Sequence, residues 1–128
     1  MQLVLKLGKM NIELHQLDRA VVAEVKSEGI IISETQDALD LMGDCYYDGS
    51  NRIILQRKNL HPDFFDLKTR LAGDILQKFS TYEVRLAIVG DYSDITSNAL
   101  KDFIWESNRL GQILFVETVE EALERFSK

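Results

Sequence analysis

The chain has 128 residues, 45% of them hydrophobic, enough for one domain with a buried core. Its 21 acidic and 15 basic side chains give a net charge of −6, which argues against nucleic acid and anionic membrane surfaces as partners. Cys45 is the single cysteine, so an internal disulfide and a cysteine zinc site are excluded and a reducing, cytoplasmic setting is expected.

Residues 1–9 read as an N-terminal extension or a cloning remnant, with Met10 as a second possible start, and the domain as 10–128. No apolar run approaches the ~20 residues of a membrane helix. Met10 to Gln16 and Ala20 to Lys26 alternate apolar and polar residues around the turn Leu17-Asp18-Arg19. This predicts an antiparallel hairpin at a sheet edge with one face open to water. Ser33-Glu34-Thr35-Gln36 reads as a capping box that opens a helix. Ala38, Leu39, Met42, Cys45 and Tyr46 are its expected buried face, and Asp48-Gly49-Ser50 ends it.

The stretch Arg52 to Gly90 organises the chain. Ile53-Ile54-Leu55 and Leu86-Ala87-Ile88-Val89 are continuous apolar runs, as suits parallel strands covered on both faces. Between them Leu67, Leu71 and Ile75 recur every four residues, with Leu76 and Phe79 beside them. That spacing predicts an amphipathic crossover helix with Pro62 near its first turn and Asp63 or Asp66 as cap. Gly73 inside the pattern implies close approach of helix and sheet.

Gly90 to Asp94 is a loop, and a helix follows from about Ser97. Its inner face is Leu100, Phe103, Ile104 and Ser107, and Gly111 is its left-handed cap. Ile113 to Val116 is the last strand. Thr118-Val119-Glu120-Glu121 opens a final helix that packs through Val119, Ala122, Leu123 and Phe126. The fold class is therefore a single α/β domain: a mostly parallel sheet, an antiparallel edge hairpin and about four helices.

Ligands of parallel sheets sit outside the strands' C-terminal ends. Two loops reach that edge. One offers Arg57, Lys58, His61, Asp63, Asp66 and Lys68; the other offers Asp91. They suit a small anion or a polar partner surface. The alternative is a solvated loop whose carboxylates cap a helix. Asp63 and Asp66 at i,i+3 are ordinary cap positions, and His15 reads as a surface residue of the hairpin, so no metal is expected. Cys45 on an apolar helix face reads as packing. No serine elbow, triad or nucleotide loop occurs, so neither catalytic residues nor a cofactor are expected. Phe64 and Phe65 point to different sides, and one of them could be exposed.

The order of elements resembles the STAS domain, the anti-sigma-factor-antagonist fold, whose small bacterial members bind partner proteins. Those members carry a phosphorylatable serine at the start of the helix after the third strand. Here that region is Asp66-Leu67-Lys68-Thr69, and Thr69 is the only hydroxyl. The runs QDALDLMGDCYYDG, HPDFFDLKTRLAGDILQKFS, RLAIVGDYS and LKDFIWESNRLGQILFV resemble more closely a bacterial family, domain of unknown function 4180, which implies no established activity. Two readings follow. The first is a non-catalytic regulatory or protein-interaction module that meets a protein partner through the Arg57–Lys68 loop. The second is a small-molecule or anion-binding domain, or a minor enzyme, working at the C-terminal crevice. A homodimer through Phe64, Phe65 or Trp105 is a third possibility.

Overall fold

The computed structural model describes residues 2–7 and 10–128, with side chains described from Asn11 onward. These residues build a six-stranded sheet in sequential order, β1 to β6. β1 (Gln2–Leu7), β2 (Met10–Gln16) and β3 (Val21–Lys26) pair antiparallel. β4 (Arg52–Gln56), β5 (Arg85–Val89) and β6 (Ile113–Val116) continue from β3 in parallel. Of the segment 1–9, Gln2–Leu7 is the edge strand β1, while Met1, Gly8 and Lys9 lie outside the described residues.

The parallel strands are joined by α1 (Thr35–Tyr47), α2 (Leu71–Thr81) and α3 (Asn98–Leu110), and α4 (Val119–Phe126) follows β6. Successive crossovers of one hand between neighbouring strands put α1, α2 and α3 on one face. That face holds the larger core: Ile12, Val25, Ile53, Leu55, Leu86, Ile88, Ile113 and Phe115 meet Leu41, Ile75, Phe79 and Phe64. On the other face α4 packs Ala122 and Phe126 on Val22, Ile54, Ala87, Leu114 and Val116. Ile53, Ile54 and Leu55 are thus buried on alternating sides at 0% exposure, which is why β4 is apolar throughout. Each such side chain contributes roughly 1.5–3 kcal/mol by leaving water.

Several elements differ from expectation in position. The α1 box is shifted by one residue. Asp37, not Gln36, reaches back to the N–H groups of Ser33 (2.9 Å) and Glu34 (3.2 Å). Gln36 instead donates to Asp40. Tyr46 is exposed rather than buried, because the turn of α1 that carries it runs past the end of the sheet.

The crossover to α2 is not one long helix. It is three 3-10 turns, Arg57–Asn59, Pro62–Phe65 and Leu67–Thr69, and α2 starts only at Leu71. Arg70 between them is left-handed, at φ 64°, so the last turn and α2 cannot form one continuous helix. Leu67 consequently falls outside the buried stripe and is exposed.

Gly73 does not mark a close approach. A Cβ there would meet nothing within 4 Å. The glycine therefore carries only its entropic cost in a helix interior. Gly73→Ala should stabilise the fold by about 0.5–1 kcal/mol. Urea denaturation should show a higher midpoint at unchanged slope.

Candidate functional site

The two loops expected to frame a crevice meet, and Arg57 joins them. Its guanidinium donates to the Asp91 carbonyl at 2.6 Å and to both Asp94 carboxylate oxygens at 2.7 and 3.1 Å. It also lies 4.7 Å from the Phe65 ring centre and 5.4 Å from that of Tyr92. Arg57 thus holds one loop to the other. The Asp94 carboxyl is held below its usual pKa by the hydrogen bond from Arg57. The Ser93 N–H does the same for Asp91. Both lowered carboxyls stay ionised at neutral pH, and the pairing weakens only as pH falls through those lowered values.

Beneath Arg57 lies an aromatic cluster. Phe115 is ringed by Tyr92 (5.5 Å), Phe103 (6.1 Å), Phe64 (6.4 Å) and Phe65 (6.4 Å). Phe64 is buried and Phe65 half-buried, so this pair forms no exposed aromatic patch. The Tyr92 hydroxyl donates to the Ile88 carbonyl, and burial pushes its pKa up.

His61 and Asp66 serve the backbone. His61 Nδ1 accepts from the Asp63 N–H at 3.0 Å. Asp66 accepts from the Lys68 N–H. The Thr69 hydroxyl lies 2.6 Å from the Asp63 carbonyl and 2.8 Å from that of Asp66. Lys58 pairs with Glu28 at 2.9 Å. Lys68 is exposed and in no ion pair among the described residues. A groove of about 550 Å³ does lie on this edge, lined by Arg57 and Lys58 with the apolar Ile30, Leu60, Pro62 and Phe65, and not by Asp91. The seven residues Arg57, Lys58, His61, Asp63, Asp66, Lys68 and Asp91 therefore do not converge on one point.

Asn59 is a residue that the sequence reading missed. It is fully buried. Its amide donates to the Ser27 and Gly29 carbonyls and accepts from the Gln56 N–H. Its own carbonyl takes the N–H groups of Ile31 and Ile32. The β3–α1 connection is tied to β4 through this one side chain and its backbone.

At the opposite edge, where the parallel strands begin, three arginines gather. Arg52 opens β4 and Arg85 opens β5, and the sheet register sets them side by side. Arg125 comes from the last turn of α4. Arg85 lies over the Phe126 ring at 5.1 Å and donates to the Gly111 carbonyl. Arg125 donates to the Asn108 carbonyl, and Arg52 to the Asn51 side chain. Among the described residues none of the three is in an ion pair. Burial, then the charges of Arg52 and Arg125, lower the pKa of Arg85. Arg52 Nε is buried and has no hydrogen-bond partner. Beside Arg52 a cavity of about 680 Å³ opens between the β2–β3 turn and the end of α4, where it also meets Arg19, Lys128 and one acid, Asp18.

The family described as Domain of unknown function (DUF4180) matches residues 17–126. The chain belongs to that family. No curated protein and no solved structure matches it. In this DUF4180 domain the matched segment includes Arg52, Arg57, Arg85, Gly90 and Arg125. Both edges of the parallel strands are therefore part of it. No helix among the described residues is long and apolar enough to cross a membrane.

The Arg57 junction also explains Gly90. A Cβ on Gly90 would stand 2.8 Å from the Cβ of Arg57. The contact is with a Cβ, so no change of rotamer relieves it. Gly90→Ala should destabilise the DUF4180 domain by about 1–3 kcal/mol through overpacking. Arg57→Ala should not rescue it, because alanine keeps that Cβ. Chemical denaturation of the two single variants and the double variant checks this.

Proposed function

We propose that this chain is a non-catalytic binding module, and that its ligand is a small anion bearing phosphate or carboxylate, held at the arginine edge. The observation that carries the reading is Arg52 Nε, a buried donor without an acceptor beside two further arginines without carboxylates. Like charges directly opposed across strands are destabilising, and a buried unsatisfied donor adds roughly 1–3 kcal/mol. A bound anion would relieve both penalties and would match the planar guanidinium fork. The adjoining cavity is of the size usual for small ligands.

Catalysis finds little support at the candidate nucleophiles. Cys45 is buried, and burial pushes its thiol up to about 12. The Ser50 hydroxyl is engaged with the Val21 and Arg52 carbonyls. A regulatory role in a bacterial cytoplasm is part of the same proposal, supported by the STAS-like order of elements. The C-terminal crevice, with His61, Asp63, Asp66, Lys68 and Asp91, is the less favoured location for the ligand.

A second reading, a protein partner, is favoured by one specific feature. Tyr46, Tyr47 and Tyr82 are 76%, 92% and 61% exposed at the helix ends near the arginines. Tyr46 and Tyr82 border an apolar groove of about 410 Å³ with Leu39, Met42 and Val84. Tyrosine and arginine together are common energetic anchors of protein interfaces. An acidic segment of a partner would suit them.

Thermal unfolding in anion-free buffer and with inorganic phosphate, pyrophosphate or citrate tests the proposal. Wild type should gain stability with anion concentration, by about 2.7 kcal/mol at a hundred times the dissociation constant. Arg52→Gln should abolish the gain, yet leave the anion-free melting temperature unchanged or higher. Lys68→Ala should behave as wild type. An anion response that survives Arg52→Gln and Arg85→Gln would sink the idea.

A further inference from the structure

The second buried polar cluster lies on other elements, on the antiparallel hairpin beside β4. Glu13 and His15 are two apart on β2, and Glu24 on β3 stands directly opposite Glu13 in the register. All three therefore share the face on which Val22 packs toward α4. α4 lies mainly over β4, β5 and β6 and meets β3 at Val22. His15 and Glu24 are only 9% and 7% exposed, so His15 is not the surface residue its alternating pattern suggested. His15 Nε2 is 2.8 Å from Glu24 Oε1. One ligand atom from each of Glu13, His15 and Glu24 lies within 4.8 Å of the others.

Two carboxylates opposed across an antiparallel pair repel, and burial strengthens that repulsion. Positive charge between them relieves it. Lys26 supplies part of it from the next position on the same face of β3, 2.6 Å from Glu13 Oε2, and the Glu13 carboxyl is held low by that bond. The Lys26 side chain is 54% exposed, so its ammonium can swing out into water without unfolding anything. A cavity of about 440 Å³ lies beside Glu24 and Lys26, lined also by Asn11, Gln56, Glu28 and Lys58.

The geometry points to a site for a first-row divalent transition-metal ion, bound by Glu13, His15 Nε2 and Glu24, with Lys26 as the internal cation that it displaces. Nitrogen and oxygen donors about 2.0–2.2 Å from one zinc ion stand roughly 3–3.5 Å apart. His15 Nε2 and Glu24 Oε1 stand at 2.8 Å and the three donors lie within 4.8 Å of one another, so small side-chain shifts bring them to that spacing. One imidazole and two carboxylates suit Zn²⁺ or Mn²⁺ rather than Mg²⁺, which keeps its water and prefers an all-oxygen shell. Three protein donors leave a fourth coordination position for water or a ligand.

Isothermal titration with Zn²⁺, with Mg²⁺ as control, tests the site in the full chain. Zn²⁺ should bind one to one. Glu24→Gln should weaken it at least tenfold. Lys26→Met should tighten it about tenfold, because the competing charge is gone. A structural ion-pair network would give the reverse for Lys26→Met, namely lost stability and no metal. Because Glu24 is buried, a readout without any variant is added. In imidazole NMR of the wild type, Zn²⁺ should shift His15 and leave His61 in place. The assignment is overturned if neither wild type nor Lys26→Met binds Zn²⁺. It is equally overturned if binding survives Glu24→Gln, if Lys26→Met does not tighten it, or if the shift falls on His61.

Discussion

The structure depends on how little of one sheet face a single short helix covers. On one side of the sheet, three helices bury residues from β2 to β6. On the other, α4 has eight residues and reaches β4, β5 and β6. A helix about 10 Å across spans two to three strands spaced ~4.8 Å apart. Where α4 lies, the strands present Ile54, Ala87, Leu114 and Val116. Where it stops, the same face turns polar. Arg52 and Arg85 appear at the strand starts, and Glu13, His15 and Glu24 on the hairpin. Both polar clusters are thus consequences of one boundary, the limit of α4. Each holds like charges that the sheet register forces side by side.

The helical face meets its own constraint between β4 and β5. The chain leaves β4 in a 3-10 turn, and the turn must pass close to the end of β5. Gly90 permits the approach and Arg57 fixes it. The cation then sits on Phe65 and Tyr92, which pack around Phe115 of β6. A charged side chain here closes the top of the core. That explains why the edge where ligands of parallel sheets are usually found holds no convergent polar site in this chain. The polar residues of that loop are used to satisfy successive 3-10 turns, whose N–H groups lack helical partners.

Much of the fold was legible in the sequence. The continuous apolar runs of β4 and β5, the helix start at Ser97, the Thr118 cap and the Gly111 terminator fall where the pattern placed them, while the β2–β3 hairpin is found at its expected residues but not at the sheet edge, which β1 takes. These signals are local, a matter of period and caps. What was not legible is tertiary. Leu67 fits the four-residue spacing of α2, yet the left-handed Arg70 separates it from that helix. Asp37 and Gln36 are adjacent polar residues, and only the backbone direction decides which reaches back. His15 and Glu24 alternate with apolar neighbours as solvent-facing residues do, and burial without a covering helix leaves no trace in periodicity. Arg52 and Arg85 each precede an apolar run. That shared position was visible, but its meaning needed the register that aligns the two strand starts.

Net charge misleads here for a related reason. The chain is acidic overall, at −6, which by itself repels anions. Yet several of its carboxylates are committed: Asp94 to Arg57, Glu28 to Lys58, Glu13 to Lys26, Glu106 to Arg109. None of those pairs includes Arg52, Arg85 or Arg125. Screening over roughly 8–10 Å at physiological ionic strength makes the local balance matter more than the sum. An anion approaching the strand starts meets guanidinium groups first, with Asp18 the one acid among the side chains lining the cavity. A metal ion approaching the hairpin meets Glu24 and the displaceable Lys26. Local pairing, more than the acidic total, decides what the strand starts and the hairpin can hold.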